Sequence, residues 1–363
     1  MPISAARAAA FQILKRVETD GGYASDLLMR SSQLDSRDAG LASQIVFGCL
    51  RFQAQLDYLA LYFAQRTSLK LDVEVQIALR MGIFQIRHLD RVPKHSAVDE
   101  SVELVKRLGK RSAAGLVNAI LRKVDEKKVV KWPSREIELS CPEWLLWRWS
   151  REFGEDGARG IALAALEEPK TYMRGDRVQD IGSQTIVPLL ELKSGDRYLD
   201  LCAAPGNKTV QALETPGLKI VACDRHFHRL EALRSLGCPL VALDALKPLP
   251  FRGPFDKILI DSPCSGTGTL GRNPEIKWRL GPDDLDNLRG RQASILEHAL
   301  RVLAVGGRAV YATCSLEPQE NGVVVDTVLG LIGGGFQVVA KHQRLPGRDE
   351  GDGFFGAVIE RTA

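Results

Sequence analysis

Two short stretches of this 363-residue sequence gather nucleophiles and a carboxylate: Asp261-Ser262-Pro263-Cys264-Ser265-Gly266 and Tyr311-Ala312-Thr313-Cys314-Ser315. The first follows the apolar run Lys257-Ile258-Leu259-Ile260 and the second ends the run from Arg308 to Thr313, so each sits at the carboxyl end of an expected β-strand. Neighbouring strands lie ~4.8 Å apart, which brings both thiols and Asp261 to one rim of a sheet. A thiolate there can attack an electron-poor carbon, and a carboxylate beside it can manage a proton. A buried cysteine taken alone is more often a small apolar residue than a nucleophile. The case for chemistry rests on the joint placement.

A third stretch, Cys202-Ala203-Ala204-Pro205-Gly206-Asn207-Lys208-Thr209, follows the strand candidate Arg197–Cys202. Its small residues let the backbone approach a ligand, and the helix expected from Asn207 presents free amides. A phosphate-binding P-loop would need glycine at positions 202 and 207, which disfavours nucleotide triphosphate hydrolysis. Asp224 ends the next strand, where a carboxylate can accept from ribose hydroxyls, and Asp244 ends the third. Either aspartate could instead cap a helix. The GxGxxG match at Gly266–Gly271 follows the fourth strand and leads into Arg272-Asn273-Pro274, so it is read as a flexible loop rather than a dinucleotide site.

These residues need a scaffold, and the chain changes grammar to provide one. Residues 3–125 repeat apolar side chains at helical spacing, as in Ile45, Val46 and Leu50 or Val75, Ala78, Leu79 and Ile83. Helices are expected from Pro93 to Gly109 and from Ala113 to Val124, then a connecting segment ending in Cys141-Pro142-Glu143-Trp144 that leads into a helix with Trp147 and Trp149. From about residue 178 short β-rich runs alternate with helices, including His226–Leu236, Asp283–Val305 and Pro318–Leu331. This specifies an all-α bundle followed by an α/β, Rossmann-like domain with a mostly parallel sheet. The expected division is 1–130, 131–175 and 176–363.

Composition excludes several classes. With 45% hydrophobic and 26% charged residues the chain can bury a core, and no apolar run reaches the ~18 residues of a membrane helix. The N-terminus lacks a secretory charge order, so a cytoplasmic protein without a membrane partner is expected. Seven cysteines without a CxxC pair read as reduced thiols, not a disulfide framework or a metal site. Residues 1–140 carry 22 Lys/Arg against 16 Asp/Glu, with Lys106, Arg107, Lys110, Arg111, Arg122, Lys123, Lys127, Lys128 and Lys131 close together. That concentration suits a polyanion, although a solvated helical face would look the same.

The motifs together resemble the RsmB/Sun family of 16S ribosomal RNA cytosine-5 methyltransferases. The catalytic half is similar through the three stretches above and the terminal Asp352-Gly353-Phe354-Phe355. The helical half is similar to the RNA-binding NusB fold through Ile45–Arg51 and Gly115–Arg122. The resemblance implies S-adenosylmethionine as cofactor, with contacts from Cys202, Ala203, Ala204, Pro205, Gly206, Lys208, Asp224, Arg229, Asp244 and Asp261. It implies an RNA partner, 16S rRNA first, no metal, and a monomer. Cys314 would be the nucleophile, Cys264 would release the product, and Asp261, if protonated, would donate to ring nitrogen 3. Other readings are a tRNA cytosine-5 methyltransferase and a non-catalytic RNA-binding or antitermination factor. Two departures stand out. Asn207 replaces a second glycine, a position where asparagine can adopt positive φ, and Glu168–Arg174 runs almost directly into Arg177–Asp180, where the family has several dozen intervening residues.

Overall fold

A computed structural model describes residues 3–31 and 34–363. The chain packs as two compact units, Met1–Glu167 with Gly271–Arg279, and Glu168–Leu270 with Leu280–Ala363. The stretch 131–167, expected to be a connector, therefore belongs to the first unit, as does a short return of the chain from the catalytic half.

The first unit is helical: Ala5–Asp20, Ala24–Met29, Ser36–Arg51, Gln53–Ala64, Val73–His88, Lys94–Arg107 and Ala114–Lys123. Val73–His88 is its central helix, buried at Val75 and from Ile77 through Ile86, because apolar residues occupy most of its circumference. Close crossings dictate glycine. A Cβ on Gly48 would fall 1.9 Å from the Phe84 ring, and one on Gly82 would fall 2.7 Å from Leu121. Arg80, buried in this core, keeps its charge through Asp57 at 2.7 Å and Glu18 at 2.9 Å. The element Glu143–Ala164 breaks at Gly154, whose φ of 75° no helix tolerates. Trp149 is buried on it, whereas Trp147 is exposed under the Arg151 guanidinium. The returning segment is anchored by Trp278 Nε1 donating to the Leu50 carbonyl at 2.7 Å and by the buried Lys277 Nζ donating to that of Arg51 at 2.9 Å.

The second unit is built on a seven-stranded sheet: β1 Arg197–Asp200, β2 Lys219–Asp224, β3 Leu240–Ala242, β4 Phe255–Asp261, β5 Leu303–Thr313, β6 Phe336–Arg344 and β7 Phe354–Arg361. The spatial order is β3-β2-β1-β4-β5-β7-β6. Strands β1 to β5 are parallel, and β7 runs antiparallel between β5 and β6. Strand order reverses at β1 and β4, which opens a crevice at their carboxyl ends. Two element boundaries differ from expectation. The long helix ends at Arg301 and β5 already begins at Leu303, because Gly306 (φ 76°) and Gly307 accommodate a bulge opposite Phe255–Lys257. The segment after β2 is a single α-turn, Phe227–Leu230, continued as a 3-10 helix to Leu236.

The Gly266–Gly271 stretch is not the flexible loop expected. Thr267, Gly268 and Thr269 are buried, Gly268 N donates to the Cys314 carbonyl at 2.9 Å, and a Cβ at Gly268 would fall 2.4 Å from the Gly353 carbonyl oxygen. Glycine serves close packing here, not ligand approach. Between Glu168 and Asp180 the chain makes a two-stranded hairpin, Met173–Arg174 with Arg177–Val178, turned by Gly175 at φ 58°.

Candidate active site

Parallel pairing of β4 with β5 sets Asp261 opposite Ala312, so the two cysteine loops leave neighbouring strands at the same level. The consequence is direct: Cys264 Sγ lies 3.4 Å from Cys314 Sγ. The hydrogen bond to Cys314, and then burial, hold the Cys264 thiol well above the ordinary thiol range. Asp261, at the end of β4, receives the Lys208 ammonium at 2.7 Å. Burial alone would pull Lys208 down, but the Asp261 charge more than offsets it and Lys208 ends above its usual value. Its Nζ also lies 5.2 Å from the centre of the Phe354 ring, an attraction of cation to ring face. A carboxylate, an ammonium and two thiols thus converge at the crevice. Cysteine pair and Asp261 come together as the strand reading expected, and Lys208 joins them from the β1 turn.

That turn is shaped by Gly206, whose φ of 105° starts the helix Asn207–Leu213. The positive φ expected of Asn207 is not used. Asn207 is the first helical residue, and its side-chain amide donates to the Val178 carbonyl at 3.0 Å, tying the turn to the hairpin. Below it, Asp200 is fully buried; burial raises its carboxyl to about 7, against the Thr209 hydroxyl that donates to it at 2.7 Å. Asp200 Oδ1 has no hydrogen-bond partner among the described residues. Cys202 is likewise pushed well up by burial.

Neither Asp224 nor Asp244 caps a helix as the alternative proposed; each uses one oxygen to close a turn onto the amide two residues on. Asp224 Oδ1 accepts from His226 N at 2.9 Å, and Asp244 Oδ1 from Leu246 N at 3.2 Å. Among the described residues their second oxygens have only distant cations, Arg229 at 3.7 Å from Asp224 and Arg225 at 3.9 Å from Asp244. Arg229 also reaches the Ala204 carbonyl at 3.4 Å. Small residues 203–206, a left-handed glycine, carboxylates at the ends of β1 and β2, and a buried unpaired oxygen fit a ligand carrying ribose hydroxyls and an amino group.

The sequence did not single out Glu320. It is fully buried, accepts from Ser265 N at 2.8 Å and Gln292 Nε2 at 2.9 Å, and receives the Ser265 and Ser315 hydroxyls. The available signal was an acidic residue in Glu317-Pro318-Gln319-Glu320-Asn321, directly after the Cys314 loop. Asn321 works beside it, accepting from Thr313 Oγ1 at 2.5 Å and donating to the Ser315 carbonyl at 2.9 Å. The nine basic residues of 106–131 are distributed over the first unit, away from these strand ends in sequence, and all but Lys110 are exposed. Lys110 is paired with Asp72 at 2.7 Å, and Arg107 with Glu103 at 3.1 Å. No cluster of three or more metal-ligating side chains occurs among the described residues, nor any helix long and apolar enough to cross a membrane.

Sheet order, strand-end carboxylates and the β1 turn define a class I S-adenosylmethionine-dependent methyltransferase. Residues 187–360 match the model of the 16S rRNA methyltransferase RsmB/F family, and residues 4–126 match that of the NusB family, so a NusB-family domain precedes a methyltransferase domain of the RsmB/F kind. It is 29% identical to ribosomal RNA small subunit methyltransferase B of Escherichia coli (strain K12 / MC4100 / BW2952), over 97% of this chain and 98% of the relative. It is 28% identical to the probable ribosomal RNA small subunit methyltransferase B of Bacillus subtilis (strain 168), over 90% and 88%. The E. coli alignment runs to 421 positions, so the relative has residues that this 363-residue chain lacks. Among solved structures, that of PH0851 shares the fold with a TM-score of 0.77 at 20% identity, over 99% of both chains.

Proposed function

We propose that this protein methylates carbon 5 of a cytosine in RNA, 16S rRNA first among candidates, through a covalent cysteine adduct. The observation that carries the reading is the 3.4 Å approach of Cys264 and Cys314 beside the Lys208–Asp261 pair. The relatives named as small subunit methyltransferases support the RNA species.

Carbon 5 of cytosine is a poor nucleophile until a thiolate adds to carbon 6. Cys314 forms that bond. Its neighbour Cys264, 3.4 Å away, stays protonated at this stage, because the hydrogen bond between the sulfurs and burial both disfavour a charge on it. Addition pushes electron density onto ring nitrogen 3. The Lys208 ammonium donates there, and Asp261 accepts from the exocyclic amine, so the pair is complementary to the polar edge of cytosine. This assigns to Lys208 the donor role first expected of a protonated Asp261, because Asp261 already faces an ammonium. S-adenosylmethionine, held by residues 202–206, Asp224, Arg229 and Asp244, supplies an electrophilic methyl group for carbon 5. Once Cys314 is bound to carbon 6 its contribution to raising Cys264 is gone; Cys264 gives its proton to solvent, and the resulting thiolate takes the proton from carbon 5. The electrons of that C–H bond reform the ring double bond and return the C6–S pair to Cys314.

The test separates the thiols. Each variant is incubated with S-adenosylmethionine and unmodified 16S rRNA, and the products are resolved on a denaturing gel that preserves thioethers. Cys264→Ala is expected to attack, methylate and stall as a slow protein–RNA band. Cys314→Ser gives none, since a hydroxyl is far less ionised than a thiol of pKa ~8.5. The reverse pattern would make Cys264 the nucleophile. No band from either, with RNA binding intact, would remove catalysis by adduct altogether.

A further inference from the structure

We propose that Glu320 is the positioning residue that sets Cys264 and Cys314 at reacting distance. The inference rests on the covalent reading above and adds to it the group that maintains the thiol pair. Neither sulfur is on a regular element. Cys264 lies three residues beyond the end of β4, and Cys314 is the first residue after β5. Strand pairing fixes Asp261 opposite Ala312, but it leaves the two loops beyond them without a partner strand.

Glu320 ties those loops together. Its carboxylate accepts from both the backbone amide and the hydroxyl of Ser265, the residue after Cys264. It accepts from the hydroxyl of Ser315, the residue after Cys314. Those two hydroxyls also lie 3.1 Å from each other. Gln292, whose Nε2 donates to Glu320 at 2.9 Å, donates as well to the carbonyl of Pro263, the residue before Cys264. The Glu320 carboxylate therefore holds the residue after each cysteine, and Gln292, bonded to it, holds the residue before Cys264. Glu320 is itself fixed by the Tyr311 hydroxyl, which donates to its backbone carbonyl at 2.5 Å. All of these donors are buried or half-buried, and an acceptor with two charged oxygens is the group that can satisfy four of them at once.

The chemical consequence goes beyond holding loops. The same carboxylate is one of the charges that discourage ionisation of Cys264, after the hydrogen bond to Cys314, burial and the Cys314 charge. Its position therefore favours leaving the proton on Cys264 while Cys314 attacks. A residue that only filled space would have neither effect.

Three variants test this: Glu320→Gln keeps the shape and loses the charge, Glu320→Asp withdraws the carboxylate by one methylene, and the double variant Ser265→Ala/Ser315→Ala removes two donors. The readout needs no RNA. Hydrogen peroxide oxidises two adjacent thiols to a disulfide with release of two waters, and mass spectrometry of the digest follows the 264–314 bridge, the other five cysteines serving as internal reference. Bridge formation is expected to slow by roughly tenfold or more in Glu320→Asp and in the double variant, with S-adenosylmethionine affinity retained as evidence of folding. In Glu320→Gln the pH profile of Cys264 alkylation by iodoacetamide is expected to move to lower pH. Bridge formation at the wild-type rate in both the Asp and the double variant, or an alkylation profile unmoved in Glu320→Gln, would overturn the proposal. If the wild-type protein forms the bridge but never a carbon 6 adduct, the covalent reading falls while the comparison of variants still decides the role of Glu320.

Discussion

Replacing Lys208 by methionine distinguishes a group that acts on the base from one that merely holds cofactor. Methionine has nearly the same length and apolar bulk, so the buried channel around a side chain only 9% exposed stays filled. What is lost is an ammonium 2.7 Å from Asp261. If that ammonium donates to nitrogen 3 as charge develops, the variant forfeits one charge-assisted hydrogen bond in the transition state, about 1.5 to 3 kcal/mol. At about 1.4 kcal/mol per tenfold, single-turnover methylation should slow by roughly 10- to 150-fold. Asp261→Asn should cause a loss of similar order, and the loss in the double variant should be much less than the product of the two, because each partner acts through the other. The assay is transfer of a radiolabelled methyl group to 16S rRNA under single-turnover conditions, with cofactor affinity measured in parallel by calorimetry. Unchanged turnover with weakened S-adenosylmethionine binding would refute the argument and return Lys208 to the cofactor contacts.

Two further outcomes are expected. Asp224→Ala should weaken S-adenosylmethionine binding at least about tenfold by removing the acceptor for the ribose hydroxyls, measured by titration calorimetry. Replacing Lys106, Arg111, Arg122 and Lys123 by alanine, which avoids the paired Arg107 and Lys110, should reduce the slope of log RNA affinity against log salt by roughly 0.7 per lost phosphate contact; an unchanged slope would make that surface a merely solvated face.

Local pattern determined much of this protein. Apolar spacing alone distinguished a helical first half from alternating strands and helices, since a helix buries every third or fourth residue and a strand every second. The same pattern placed Cys264, Cys314 and Asp261 at strand ends, because chemistry-bearing residues interrupt apolar runs where strands stop. Three things were decided only by tertiary structure. Glu320 and Gln292 lie far from Cys264 in sequence, and nothing local shows that they converge on its loop; burial and the need to satisfy several donors with one acceptor assign that role. Lys208 read as part of a cofactor turn, and only the adjacency of β1 and β4 brings its ammonium to Asp261. The return of Gly271–Arg279 to the helical unit was equally invisible. Its Trp278 and Lys277 bond to backbone carbonyls of Leu50 and Arg51, and a carbonyl carries no side-chain signature from which a partner could have been read.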